Sequence, residues 1–174
     1  PTKCHPGTRK TTCNSIGEWM SDPAGSPLLW LHGHAGVGKS VIAKTISDQT
    51  RVVATFFFST SSDKSATTLF PTLAWQLAKN VPETKEHIVA ALKHNPLLTK
   101  SELEKQFAHL IVQPLKKCIS TVTSTLVMVI DGVDECVNEN MQIEFLKILR
   151  RARCRPLRFL ICSRPEPRIR AILE

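Results

Sequence analysis

Three of the seven glycines in this 174-residue sequence fall within six positions, in the stretch LHGHAGVGKS at 31–40. Glycine loses more conformational freedom on folding than any other residue, so such a cluster marks backbone that bends sharply or comes close to something. An apolar run, LLWLH at 28–32, leads into it. Behind it KSVIAKTISDQT places Val41, Ile42, Thr45 and Ile46 on one helical face. The local order is buried strand, glycine loop, helix.

The rest of the chain repeats that alternation. VVATFFFS at 52–59 is rich in β-branched and aromatic residues and reads as a strand. Helical patterns cover 69–80, 82–94 and 101–119, with Pro71 in a first turn and Pro114 ending or kinking the third helix. TLVMVIDGVDEC at 125–136 begins as an apolar strand and finishes in acid. A helix follows at 143–152, a strand in LRFLICSR at 157–164, and the start of a last helix in PEPRIRAILE. Residues 1–25 form a basic lead-in with a short helix carrying Ile16, Trp19 and Met20. Uniformly apolar strands alternating with helices predict an α/β fold, a parallel sheet covered on both faces. Trp30 and Trp75 are assigned to its core.

Composition narrows the partners. The length suits one domain, and 42% apolar with 22% charged residues is ordinary for a globular one. No run nears the roughly 18 apolar residues of a membrane span. The opening at Pro1, without a basic-then-apolar leader, is read as a piece of a longer polypeptide in a cytoplasmic setting. The six cysteines, at 4, 13, 118, 136, 154 and 162, show neither CxxC nor zinc-type spacing and are expected reduced. His32 and His34 flank the glycine loop without a third ligand nearby. A formal charge of +8 admits anionic partners, yet aromatics are only 6% and none interleaves with the basic residues, which argues against a nucleic-acid surface. The basic stretch at 147–158, KILRRARCRPLR, reads as a solvated face, or else as a surface meeting a neighbouring subunit's nucleotide or an acidic partner.

Gly33-His34-Ala35-Gly36-Val37-Gly38-Lys39-Ser40 satisfies GxxxxGK[ST], a phosphate-binding pattern, in the strand-to-helix setting that pattern requires. Consecutive backbone N–H groups turned toward one anion need unusual dihedrals and no side chains in the way. The helix that begins there adds its unpaired amides and dipole. Lys39 supplies a mobile positive charge for the β- and γ-phosphates, and Ser40 a hydroxyl for Mg²⁺. Asp131, just past the apolar strand at 126–130, is the second candidate metal-associated residue. A further acid would orient or deprotonate an attacking water; Glu135 is the first choice and Asp134 the second. Arg164, after Ser163 at the end of another strand, would meet the terminal phosphate.

These motifs together resemble a NACHT domain, of the STAND class of P-loop NTPases. DGVDEC carries the distinguishing mark: a small residue, Gly132, directly after Asp131, and an acidic pair, Asp134 and Glu135, shortly beyond. HPGTR, TFFFS, LAWQLA, QFAHLIVQPL and RFLICSRPEPRIR are similar to the NACHT modules of fungal NOD-like receptor proteins. The resemblance implies a three-layer ASCE-type core over 26–174 after a lead-in over 1–25. It implies a strand order of 5-1-4-3-2, with the Arg164 strand between the two phosphate-site strands and the fifth subject to truncation. Helical and winged-helix parts would lie beyond Glu174, and Pro6, Gly7 and Thr8 would contact adenine. The implied ligands are ATP or ADP with Mg²⁺. The implied function is a slowly hydrolysing oligomerisation switch in an innate-immunity signalling protein, homo-oligomeric at full length, with effector and sensor domains in the parent chain. A P-loop enzyme with faster turnover and a non-hydrolysing nucleotide-bound scaffold are the alternatives.

Overall fold

The four apolar runs become four parallel strands in the structure, a computed structural model that describes residues 9–60 and 65–174. They are β1 (Leu28–His32), β2 (Val52–Phe57), β3 (Leu126–Asp131) and β4 (Leu157–Ser163), in the order β1-β4-β3-β2. All pairings are parallel, with Trp30 opposite Ile161, Met128 opposite Phe159 and Phe56 opposite Ile130. The expected fifth strand is not found among the described residues. Because β4 lies between β1 and β3, the segments that leave β1, β3 and β4 emerge side by side at one end of the sheet.

Strand side chains alternate between faces. Val127, Val129, Leu160 and Cys162 pack with Ile42, Ala43 and Ile46 on one face, under α1 (Lys10–Ser21) and α2 (Lys39–Ile46). Leu126, Met128, Ile130, Phe159 and Ile161 point the other way into a larger cluster. Over that face lie α3 (Leu69–Asn80), α4 (Lys85–His94), α5 (Leu103–Phe107), α6 (Gln113–Lys117), α7 (Glu139–Arg151) and α8 (Pro167–Leu173). Phe58 and Phe145 stack with centroids 5.6 Å apart, and Phe107 bridges Phe70 and Phe159. Every residue of β3 and β4 is buried, which is why both are mainly apolar, with Asp131, Arg158 and Ser163 the exceptions.

Several elements differ from the sequence reading. The 82–94 pattern divides into a 3₁₀ turn at Pro82–Thr84 and α4. Helix α7 begins at Glu139, ahead of the apolar pattern, because the Asn138 side chain caps it by accepting the Met141 N–H at 3.0 Å. Pro114 does not end the helical run, since α5, Ala108–Val112 and α6 follow one another without a break. The preceding residues, Ala108–Val112, widen into a π turn, and Pro114 falls at the start of α6, where a missing N–H costs little.

Two assignments are overturned. Trp75 is not core: it is 65% exposed, on the outer side of α3. Arg158, in the stretch expected to be a solvated basic face, is 7% exposed, whereas Arg150, Arg151, Arg153 and Arg155 do face water. Its guanidinium donates to the carbonyls of Trp19 and Asp22 and lies over the Trp19 ring, fastening α1 to the sheet. As a strand residue next to a helix C-terminus, it finds backbone oxygens that replace water. Cys118, Cys136, Cys154 and Cys162 are free thiols. No helix among the described residues is long and apolar enough to cross a membrane.

Candidate functional site

The loop after β1 turns through left-handed backbone at Gly36 (φ 82°) and Gly38 (φ 90°), conformations that favour residues without a Cβ. Gly38 is also the residue before α2, and no side chain caps that helix, so its first amides are left without a side-chain acceptor at the cap. The Lys39 ammonium folds back over the loop and donates to the carbonyls of Gly33 at 2.5 Å and His34 at 2.8 Å. The loop thereby holds its own cation in place.

Asp131 ends β3 and is 4% exposed. Burial pushes its carboxyl above the usual range, while hydrogen bonds from the Ser40 hydroxyl and the Gly132 amide pull it back. Gly132 turns at φ 70°, and a Cβ there would stand 2.7 Å from the Phe58 carbonyl oxygen. The small residue after Asp131 therefore has a cause: the backbone at Phe58, just past β2, comes too close for any side chain.

The two acids beyond it have different surroundings. The Asp134 carboxylate accepts the Arg164 backbone N–H at 3.0 Å and faces the Arg164 Nε at 3.6 Å. Glu135 is exposed, and no hydrogen bond or ion pair engages its carboxylate among the described residues. Both line a cavity of about 380 Å³ together with Ala35, Gly36, Gly38, Lys39, Ser40, Asp131 and Arg164. Gly33, His34 and Val37 stand outside the lining; the first two hold Lys39 through their carbonyls, and Val37 is half exposed. Pro6, Gly7 and Thr8 lie outside the described residues.

The model of the family described as nephrocystin 3, N-terminal, matches residues 7–164, from ahead of the glycine loop through the acids to Arg164. The chain belongs to the nephrocystin 3 N-terminal family. No curated protein sequence matches it significantly.

In this nephrocystin 3 N-terminal domain, sequence reasoning left two residues of the site unassigned. Arg9, at φ 53° ahead of α1, lays its guanidinium on the loop: a Cβ on Gly38 would collide with Arg9 Nε, which donates to the Val37 carbonyl at 3.4 Å. It brings a third positive group to the cavity, beside Lys39 and Arg164. Nothing in the one-dimensional pattern separates it from the other basic residues of the lead-in. Gln142 is fully buried, donates to the Val133 carbonyl at 2.6 Å and accepts from Arg168 Nε at 2.6 Å, so it braces the acidic turn against α8. Its signal was present, since 142, 145, 146 and 149 share the buried face of α7.

Among the described residues no group of three or more His, Cys, Asp or Glu can hold a metal ion. The Ser40–Asp131 pair fits Mg²⁺ in the way that ion is usually held, by one or two protein oxygens with the remaining positions filled by water and phosphate.

Proposed function

We propose that this domain binds ATP with Mg²⁺ and hydrolyses it slowly as the switch of a larger NACHT-like signalling protein. The observation that carries the reading is the single cavity in which the glycine loop with Lys39 and Ser40, the acids after β3 and Arg164 after β4 converge. Ligands of open α/β sheets lie at the carboxyl ends of the strands, where these segments meet.

In this reading the amides around Gly36 and Gly38 cradle the phosphates, and Lys39 exchanges its loop carbonyls for β- and γ-phosphate oxygens. Ser40 and Asp131 are the metal-associated pair; bound Mg²⁺ supplies positive charge against the phosphate oxygens. The same charge would return the buried Asp131 carboxyl to its ionised form. Glu135, which lines the cavity and has no side-chain partner among the described residues, orients or deprotonates the attacking water. Asp134 is a positioning residue, holding Arg164 where a guanidinium meets charge on the terminal phosphate. Of the two acids, geometry favours Glu135 as the base.

Calorimetric titration with ATP and Mg²⁺ tests this. Wild-type protein binds, and Lys39→Ala weakens binding at least tenfold while the far-ultraviolet circular dichroism spectrum is kept. Equal affinity in the two proteins overturns the phosphate-loop assignment. Turnover stays below about 1 s⁻¹, the low end of ordinary enzyme rates; faster turnover favours an enzyme over a switch. Oligomerisation belongs to the same proposal, read as a nucleotide-dependent change of assembly in the parent chain.

A further inference from the structure

The overturned placement of Trp75 leads away from the phosphate loop, to the outer surface of α3 and α4. A cavity of about 670 Å³ runs between these two helices and shares no lining residue with the candidate site. Its floor is formed by Ala74 and Ile88, which are buried, while Trp75 (65% exposed) and Val89 (38% exposed) rise at its sides. Scattered exposed apolar residues are normal on a protein surface; a tryptophan and aliphatic side chains lining one concavity are not.

The groove is built by helical spacing on both sides. Its α3 wall comes from positions 71, 74, 75 and 78, and its α4 wall from 85, 88, 89 and 92. Each set is i, i+3, i+4, i+7, a ridge along one helix face. Two such ridges leave a trough that a third helix fills with a matching apolar ridge. The lining covers 71–79 on α3 and 85–92 on α4, so at about 1.5 Å per residue the trough accommodates about two turns.

The charge on the rim selects the occupant. Lys79 and Lys85 line the groove, and Lys79 Nζ lies 5.4 Å from the centre of the Trp75 ring. No aspartate or glutamate is among the lining residues. The acids of this segment, Glu83 and Glu86, stand outside the lining, and Glu86 lies 3.5 Å from His87, which lines a separate cleft. The rim is thus cationic on a chain of net charge +8. Complementary potential favours acidic flanks on whatever docks there.

We propose that the α3–α4 groove docks an amphipathic helix of about two turns, apolar along one face and acidic on its flanks. The groove stands independently of nucleotide binding at the loop.

A displayed library of amphipathic helices tests it, with the four apolar positions varied and the flanks either all acidic or all lysine. Selection on the wild-type protein enriches the acidic set, with the best members bound at least tenfold more tightly than their lysine-flanked counterparts at low salt. Trp75→Ala, an exposed position whose loss leaves the core intact, weakens those members at least tenfold. The double variant Lys79→Glu/Lys85→Glu reverses the preference toward the lysine set. No enrichment, equal affinity for the two sets, or binding indifferent to Trp75 overturns the proposal. Two further outcomes also overturn it: Trp75-dependent retention on vesicles of anionic phospholipid without peptide binding, and Trp75-dependent self-association that excludes the peptides.

Discussion

The carboxylate of Asp134 accepts the backbone N–H of Arg164 at 3.0 Å and lies 3.6 Å from its Nε, joining the turn after β3 to the end of β4. The Asp134 side chain is 9% exposed and that of Arg164 54%, so the acid is fixed and the guanidinium has room to move. Two neighbouring acids therefore differ in role. Asp134 is committed to a structural contact, and Glu135 is left facing the cavity.

Glu135→Gln is expected to lower single-turnover ATP hydrolysis by about a hundredfold or more, the usual worth of a general base, with ATP affinity kept. Asp134→Ala should instead loosen Arg164 and weaken affinity together with rate. If Asp134→Ala alone abolishes hydrolysis at unchanged affinity, the two roles are reversed.

Gly132→Ala should destabilise the fold more than Gly36→Ala. Both residues have left-handed backbone, at φ 70° and 82°. A Cβ at 132 meets the Phe58 carbonyl oxygen at 2.7 Å, and one at 36 meets nothing within 4 Å. Dihedral strain alone costs about 1–2 kcal/mol, and the clash adds to it at 132. Urea denaturation of the two variants measures the difference; equal midpoints would contradict the close approach of the backbone at Phe58.

Gln142→Leu removes the donor to Val133 and the acceptor for Arg168 in a fully buried site. A buried carbonyl left without its donor costs about 1–3 kcal/mol. The acidic turn loses its brace, so hydrolysis should fall although Gln142 does not line the cavity. Stability lost with hydrolysis untouched would confine Gln142 to packing.

Stability should decline in alkali through Cys154. Burial pushes its thiol from an ordinary 9.0 up to about 11. A raised pKa means the fold favours the protonated form, so the contribution is complete below 9.0 and is lost as pH rises toward about 11. Two units correspond to about 2–3 kcal/mol at most. Urea midpoints from pH 7 upward should fall more steeply for wild type than for Cys154→Ala; parallel curves would mean that the thiol is not protected.

Much of the fold and of the candidate site was legible in the chain itself, because its determinants are local. Glycines at 36, 38 and 132 report dihedrals that other residues resist, and all three take them up. Four apolar runs flanked by helical periods specify strand and helix in order, and parallel pairing follows from the helical crossovers between them. The loop, Asp131 and Arg164 could be named as strand-end residues for the same reason. Which face each strand residue occupies was not legible, since runs buried on both sides, such as 126–131, carry no alternation. Tertiary contacts alone turned Arg158 inward to carbonyls 139 and 136 positions away and left Trp75 outside. They also laid Arg9 on Gly38 and gave Asp134, rather than Glu135, to Arg164. Each of those outcomes depends on a partner distant in sequence, and a periodic pattern carries the spacing within one element, not the identity of what folds against it.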